Sequence, residues 1–180
     1  RNILDGHLDA AIAATPLEIE FIKERPLYYE PFVGYVPQNH RLSKEQLLTT
    51  EHLDVNDILL LQDGHCFRDG VINLCKSTKN VQGEKFKIES GSFETLVSLA
   101  DEGMGMTLLP YLNTLQLDPD KKKNLRPFKS PSPAREISLI YHKSELKIQI
   151  TDAMREVISS IVRGAIAFQD VKIISPLAKN

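Results

Sequence analysis

The sequence predicts an α/β fold in two units, with the middle of the chain, 33–135, inserted into a unit built from both ends, 1–32 and 136–180. Three observations predict it. Short apolar runs alternate with stretches of helical period, the pattern of strands and helices in a largely parallel sheet. Strand-like segments at 32–36 and 136–141 stand where the chain leaves and re-enters the outer unit, so two crossings make a hinge. Finally, 180 residues of which 42% are hydrophobic suffice to bury the core that such a fold needs.

Taken in order, Arg1 to Gly6 reads as the tail of a helix, so the outer unit opens without the strand expected before it. Leu8-Asp9-Ala10-Ala11-Ile12-Ala13-Ala14, bounded by Gly6 and Pro16, reads as a buried parallel strand. Phe32-Val33-Gly34-Tyr35-Val36 is a second strand, stopped by Pro37. Ser43 with Gln46 has capping-box spacing and introduces a short helix. Ile58-Leu59-Leu60-Leu61 reads as a fully buried strand ending at the turn former Asp63-Gly64.

A helix runs from His65 or Cys66 through Cys75, then a loop over 77–83 and a strand over 86–89. Ser92 is the N-cap of a helix carrying Phe93, Leu96, Val97 and Ala100, closed by Gly103. Met106-Thr107-Leu108-Leu109 is a strand stopped at Pro110, and Lys121-Lys122-Lys123, among four prolines, a solvated loop. After the strand 136–141, Met154, Val157, Ile158, Ile161, Val162 and Ala165 form one face of a long helix, expected to pack into the core.

The formal net charge of −2, without a basic stripe, argues against a surface that neutralises phosphates. No apolar run reaches the ~20 residues that span a bilayer, and no signal segment opens the chain, so the cytoplasm is the expected compartment and no membrane partner is expected. Two cysteines there are reduced at rest, and a bond between them would be regulatory or catalytic. His7, His40, His52 and His142 show no zinc-ligand spacing with either cysteine, so neither metal nor other cofactor is expected.

The segment Asp63-Gly64-His65-Cys66-Phe67-Arg68-Asp69 places a thiol where a buried strand gives way to a helix N-terminus. An ordinary thiol, with pKa about 8.5, is under a tenth thiolate at neutral pH, and only the thiolate attacks peroxide. A helix dipole contributes about 0.3 to 1 kcal/mol, too little alone, so His65 and Arg68 are the groups available to favour the charged form. Cys75 lies nine residues on. Along one continuous helix that is about 13 Å of rise and roughly opposite faces, whereas a disulfide needs Cα atoms within about 7 Å. Joining the two sulfurs therefore requires the helix between them to unwind. The plainer reading is that both are small buried hydrophobes, and spacing alone does not choose.

The same segment together with Cys75 resembles the sensing segment of the peroxide-sensing LysR-type transcriptional regulators. Gly103-Met104-Gly105-Met106-Thr107-Leu108-Leu109-Pro110 resembles the Gly-x-Gly-x-x-Leu-Leu-Pro signature of LysR-type effector domains, and Leu8-Asp9-Ala10-Ala11-Ile12 their Leu-Asp strand. The resemblance implies an α/β fold like that of periplasmic binding proteins, two Rossmann-like subdomains joined by two crossover strands, the first lacking its N-terminal strand and helix. It further implies assembly as dimers within a tetramer. By resemblance Cys66 is the peroxide-reactive thiol, Cys75 resolves its sulfenic acid, and His65, Arg68 and Asp69 surround the reduced site.

In that family the N-terminal strand and helix bring threonine hydroxyls to the peroxide pocket, a role not assumed for Thr15 or Thr107. Promoter DNA is read by an N-terminal winged helix-turn-helix not contained in this sequence. The leading expectation is a stoichiometric redox switch and not an enzyme, with hydrogen peroxide as oxidant and cytosolic thiol systems as reductants. A small-molecule-binding effector or solute-binding domain of the same fold, and a thiol peroxidase, are the alternatives.

Overall fold

The computed structural model describes residues 1–54, 56–76, 89–145, 147–166 and 171–177. Its framework is two long strands, β2 (Ile22–Tyr35) and β7 (Ser132–His142), paired antiparallel from Ile22↔His142 to Pro31↔Ala134. Between Pro31 and Phe32, β2 changes partners. Its last four residues pair instead with β5 (Met106–Pro110), and three of them also with β6 (Leu125–Pro127). The strand order is β1-β7-β2-β5-β3-β4, with β1 Ala10–Thr15, β3 Ile58–Leu61 and β4 Glu89–Ser90; β6 joins β2, and β8 (Val171–Ile173) joins β7.

Two apolar clusters sit on this frame. The larger gathers residues from Phe32 to Phe128, including all four of β3, each 2–3% exposed, and Val71 and Leu74 of α1 (Cys66–Lys76). Burying each of these large aliphatic side chains is worth about 1.5–3 kcal/mol, so β3 is a rigid base for the turn and helix that it leads into. The smaller cluster is Ile3, Ile22 and Ile140. α2 (Phe93–Asp101) begins where Ser92 accepts the Thr95 amide and ends before Gly103, whose φ of +82° suits glycine.

Several expectations are corrected. The sheet is mixed: β1, β5 and β6 pair antiparallel to the long strands, while β3–β4, β3–β5 and β7–β8 pair parallel. β1 is therefore antiparallel, and Ile12 within it is 54% exposed. The strand expected at 32–36 is the end of a 14-residue strand, whose prolines are tolerated because a register shift falls at Pro26 and Pro31 ends the β7 pairing.

Ser43 and Gln46 start no helix. Ser43 donates its amide to His40 O in a turn, and Leu48 is already committed to a bridge with Phe128, which leaves no room for one. Lys121 and Lys122 lie in a short helix, α4 (Pro119–Lys122), not a loop, because Pro119 fits its first turn. Their charges are used: Lys121 meets Asp101 at 3.2 Å, and Lys122 donates to Leu115 O. The loop at 77–83 and the start of the strand at 86–89 lie outside the described residues.

The largest correction concerns α5 (Ile148–Ala165), the fifth helix after α3 (Tyr111–Thr114) and α4. It lies on β2 through a mixed side, with Ser159 donating to Leu27 O, Asp152 paired to Arg25, and Ile158, Val162 and Ala165 of the apolar stripe half-buried. Met154, Val157 and Ile161 are thereby left 41%, 58% and 69% exposed instead of entering the core, and Thr151 is its buried residue.

Candidate redox site

β3 ends at Leu61, and the chain turns at Asp63 and Gly64, whose φ of +92° is left-handed, to enter α1 at Cys66. Asp63-Gly64 thus serves as the turn former its composition suggests. His65, Cys66 and Asp69 are exposed around the first turn of α1, and the His65 carbonyl accepts the Arg68 amide. Asp69, an acid in that turn, suits the positive end of the helix.

Arg68 does something that the sequence does not suggest. Its Nε donates to Asp63 at 2.8 Å and its Nη2 reaches Glu89 of β4 at 2.9 Å. It ties the first turn of α1 to the turn before it and to the neighbouring strand, and its charge is shared by two carboxylates.

Phe67, next to the exposed thiol, anchors the helix. It is buried against Phe32 (ring centroids 4.9 Å apart) and edge-on to Phe93 (5.1 Å). The Arg135 guanidinium lies 5.1 Å above its ring, within cation–π range. Arg135 in turn donates from Nε and Nη2 to Glu30 Oε2 at 3.0 and 2.8 Å, while Glu30 Oε1 accepts the Leu112 amide. Glu30 and Arg135 are register partners on β2 and β7, so the thiol's neighbour touches an ion pair on the two long strands.

At the other end of α1, Cys75 is 2% exposed. Burial above all, and then the negative charges of Asp54 and Asp57, pushes its thiol up to about 12. Asp57 Oδ2 is held by Arg41 Nε at 2.7 Å and His40 Nε2 at 3.2 Å; burial above all lowers the His40 pKa. Cys66 and Cys75 are not joined in a disulfide; they stand on one unbroken helix, one facing solvent and one in the core. Between them, Gly70 lets α1 approach Phe32 closely, since a Cβ there would stand 3.2 Å from the ring. A glycine at mid-helix also weakens the helix by up to about 1 kcal/mol relative to alanine.

Of the five residues singled out from sequence, the structure brings His65, Cys66, Arg68 and Asp69 into one helical turn and sets Cys75 apart. Thr15 and Thr107 are engaged elsewhere, Thr15 with Glu136 and Ser138, Thr107 with the Leu59 carbonyl. Glu30, Arg135 and Glu89 escape sequence reasoning. Composition does not single out the first two, since β2 also carries Lys23, Glu24 and Arg25 and β7 also carries Glu136, and a separation of 105 positions hides the pairing.

Comparison with known proteins gives the family of the chain. The family model described as the LysR substrate binding domain matches residues 1–162. A probable hydrogen peroxide-inducible genes activator of Mycobacterium leprae is 35% identical over 87% of this chain and 51% of its own length. The DNA-binding transcriptional dual regulator OxyR of Escherichia coli K12 is 32% identical over 76% of this chain and 44% of its own. The chain thus spans about half the length of these curated relatives. Among solved structures, OxyR from Porphyromonas gingivalis superposes with a TM-score of 0.82 at 28% identity, covering 96% of this chain and 79% of that one. Its reduced form gives 0.78 at 30% identity, covering 96% and 76%. The two long antiparallel strands, the strand–turn–helix that carries Cys66 and the family match over most of the sequence lead to one conclusion: this chain belongs to the LysR substrate-binding-domain family, with its periplasmic-binding-protein-like fold, and its relatives and structural neighbours are OxyR peroxide-inducible activators.

Proposed function

We propose that this chain is the regulatory domain of a hydrogen-peroxide-responsive transcription factor, switched by a reversible disulfide between Cys66 and Cys75. The observation that carries the reading is the placement of the two thiols on α1: Cys66 open to solvent at its first turn, Cys75 shut in the core at its last. Cys66 attacks one peroxide oxygen, the O–O bond breaks, and the leaving oxygen departs with a proton as water, so the thiol becomes a sulfenic acid. Cys75 then attacks that sulfur, expelling the hydroxyl as a second water. The two thiols lose two electrons and two protons, and one peroxide becomes two waters.

The buried thiol cannot take the second step while α1 is wound. Its raised pKa keeps it protonated, and about 13 Å of helical rise separates it from Cys66. Unwinding 66–75 removes both obstacles, which turns a chemical event into a conformational one. His65, Arg68 and Asp69 shape the reduced site; Arg68 does so through Asp63 and Glu89, which hold the first turn in place. Units 1–32 with 136–180, and 33–135, are the two subdomains, and remodelling of the second alters the contacts between subunits of a dimer or tetramer. DNA is read by a winged helix-turn-helix elsewhere in the protein, in the cytoplasm, where thiol reductants reset the switch.

Thiol counting under denaturing conditions tests the proposal. One equivalent of peroxide should lower the count from two to none. Cys75→Ser should stop at a sulfenic acid on Cys66 that dimedone traps. Sustained peroxide turnover by the purified protein would point to a peroxidase instead, and a full thiol count after peroxide would end the redox reading.

A further inference from the structure

Asn73 stands on α1 two residues before Cys75, inside the segment that must unwind, and its side chain belongs to neither the thiol site nor the apolar core. It is 9% exposed, and its amide nitrogen donates to Ser175 O at 3.0 Å and to Leu177 O at 2.8 Å. The Leu177 amide donates to Ser175 Oγ at 3.1 Å, a local turn that presents both carbonyls to one amide group.

Among the described residues, the other attachments of the segment are to β7, β2 and the border of the larger core. β8 is three residues long and pairs with β7 over Val171↔Ser132 to Ile173↔Ala134, and the Ile174 amide adds one bond to Ala134 O. Ile174 only borders the larger core. Beside the segment lies a cleft of about 390 Å³, walled by Asn73, Leu74, Phe128, Pro131, Lys172 and Ile174. A short edge strand beside a cleft is a low-stability element, so the Asn73 clamp is a large part of what holds it. Releasing it also vacates the β7 edge at 132–134, beside the Pro31↔Ala134 pair where β2 leaves β7.

We propose that 171–177 is a redox-released strap: Asn73 ties it to wound α1, and closing the Cys66–Cys75 disulfide, by unwinding the residues between, lets it go. This rests on the disulfide reading above and extends it from α1 to the hinge edge. The electrons and atoms are those of that reaction; the strap adds no chemistry. It gives the switch a second output, freed backbone on β7 far along the sequence from the cysteines.

Hydrogen–deuterium exchange by mass spectrometry on reduced and peroxide-treated protein tests it, with a non-reducing peptide map on the same samples. Amides of 172–177 should exchange at least about tenfold faster once the disulfide forms, on the scale of losing two hydrogen bonds, while β5 keeps its protection. Asn73→Ala should produce the same local acceleration in reduced protein without peroxide. Cys66→Ser treated with peroxide should keep the slow rate. A mapped disulfide with unchanged exchange at 172–177 would overturn the strap and leave the sensor standing. Failure of the disulfide to form would overturn both.

Discussion

The Arg135 guanidinium lies 5.1 Å above the ring of Phe67, the residue just after the exposed thiol, and is held there by Glu30, which is 2% exposed. The first turn of α1 is thereby in contact with the paired long strands. Removing Arg135 leaves a buried carboxylate without its countercharge, so Arg135→Met should destabilise the protein by about 3–5 kcal/mol in urea unfolding. Adding Glu30→Gln should recover most of that loss, because glutamine stays neutral and still accepts the Leu112 amide. A single-variant cost below about 1 kcal/mol would show that the pair does not anchor the site.

Burial of Cys75 has a kinetic signature. With reduced, folded protein at pH 8, iodoacetamide should label Cys66 and spare Cys75; in denaturant both should react. Mass-spectrometric labelling that found the two equally reactive in the native state would contradict the burial.

It also has a thermodynamic one. The folded pKa of about 12 is above the unfolded value of about 8.5, so the native state holds its proton where the unfolded state loses it. Stability from this source is complete below about pH 8.5 and is lost as pH rises toward 12, at up to about 1.4 kcal/mol per pH unit. Tyr35, raised to about 12 by burial and then by its bond to Asp101, adds a similar loss beginning near 10. Between about pH 8.5 and 10 the decline should therefore be shallower in Cys75→Ala than in the parent, as read from urea midpoints. Equal slopes would contradict the assignment.

On α5 the expected effect is small. Val157 and Ile161 are 58% and 69% exposed, so Val157→Lys with Ile161→Lys should change stability by no more than about 1 kcal/mol in urea unfolding, since surface substitutions each fall within about ±0.5. Losses of about 2–5 kcal/mol would mean that the stripe is core after all.

How much of this is legible in the sequence depends on the range over which each feature is determined. β3, α1, α2 and β5 are readable because their signals are local: four consecutive large aliphatics, a turn glycine, a serine cap, a proline stop. The antiparallel pairing of β1 is not, because strand direction is set by β7, more than 120 residues away. For α5 the apolar stripe is plain in the sequence, but periodicity says which residues share a face, not whether anything covers it. At the site, the thiols and their spacing are legible, while the Glu89 contact of Arg68 and the Glu30–Arg135 pair depend on how separate strands are set beside one another.

The most direct test of the switch is a non-reducing peptide map of the protein before and after one equivalent of hydrogen peroxide. The proposed mechanism requires a peptide pair joined by Cys66 and Cys75 within one chain, absent before treatment, removed by dithiothreitol and missing from Cys66→Ser. Peroxide-treated protein in which both cysteines still alkylate, or in which Cys66 bonds only to a second chain, would contradict it.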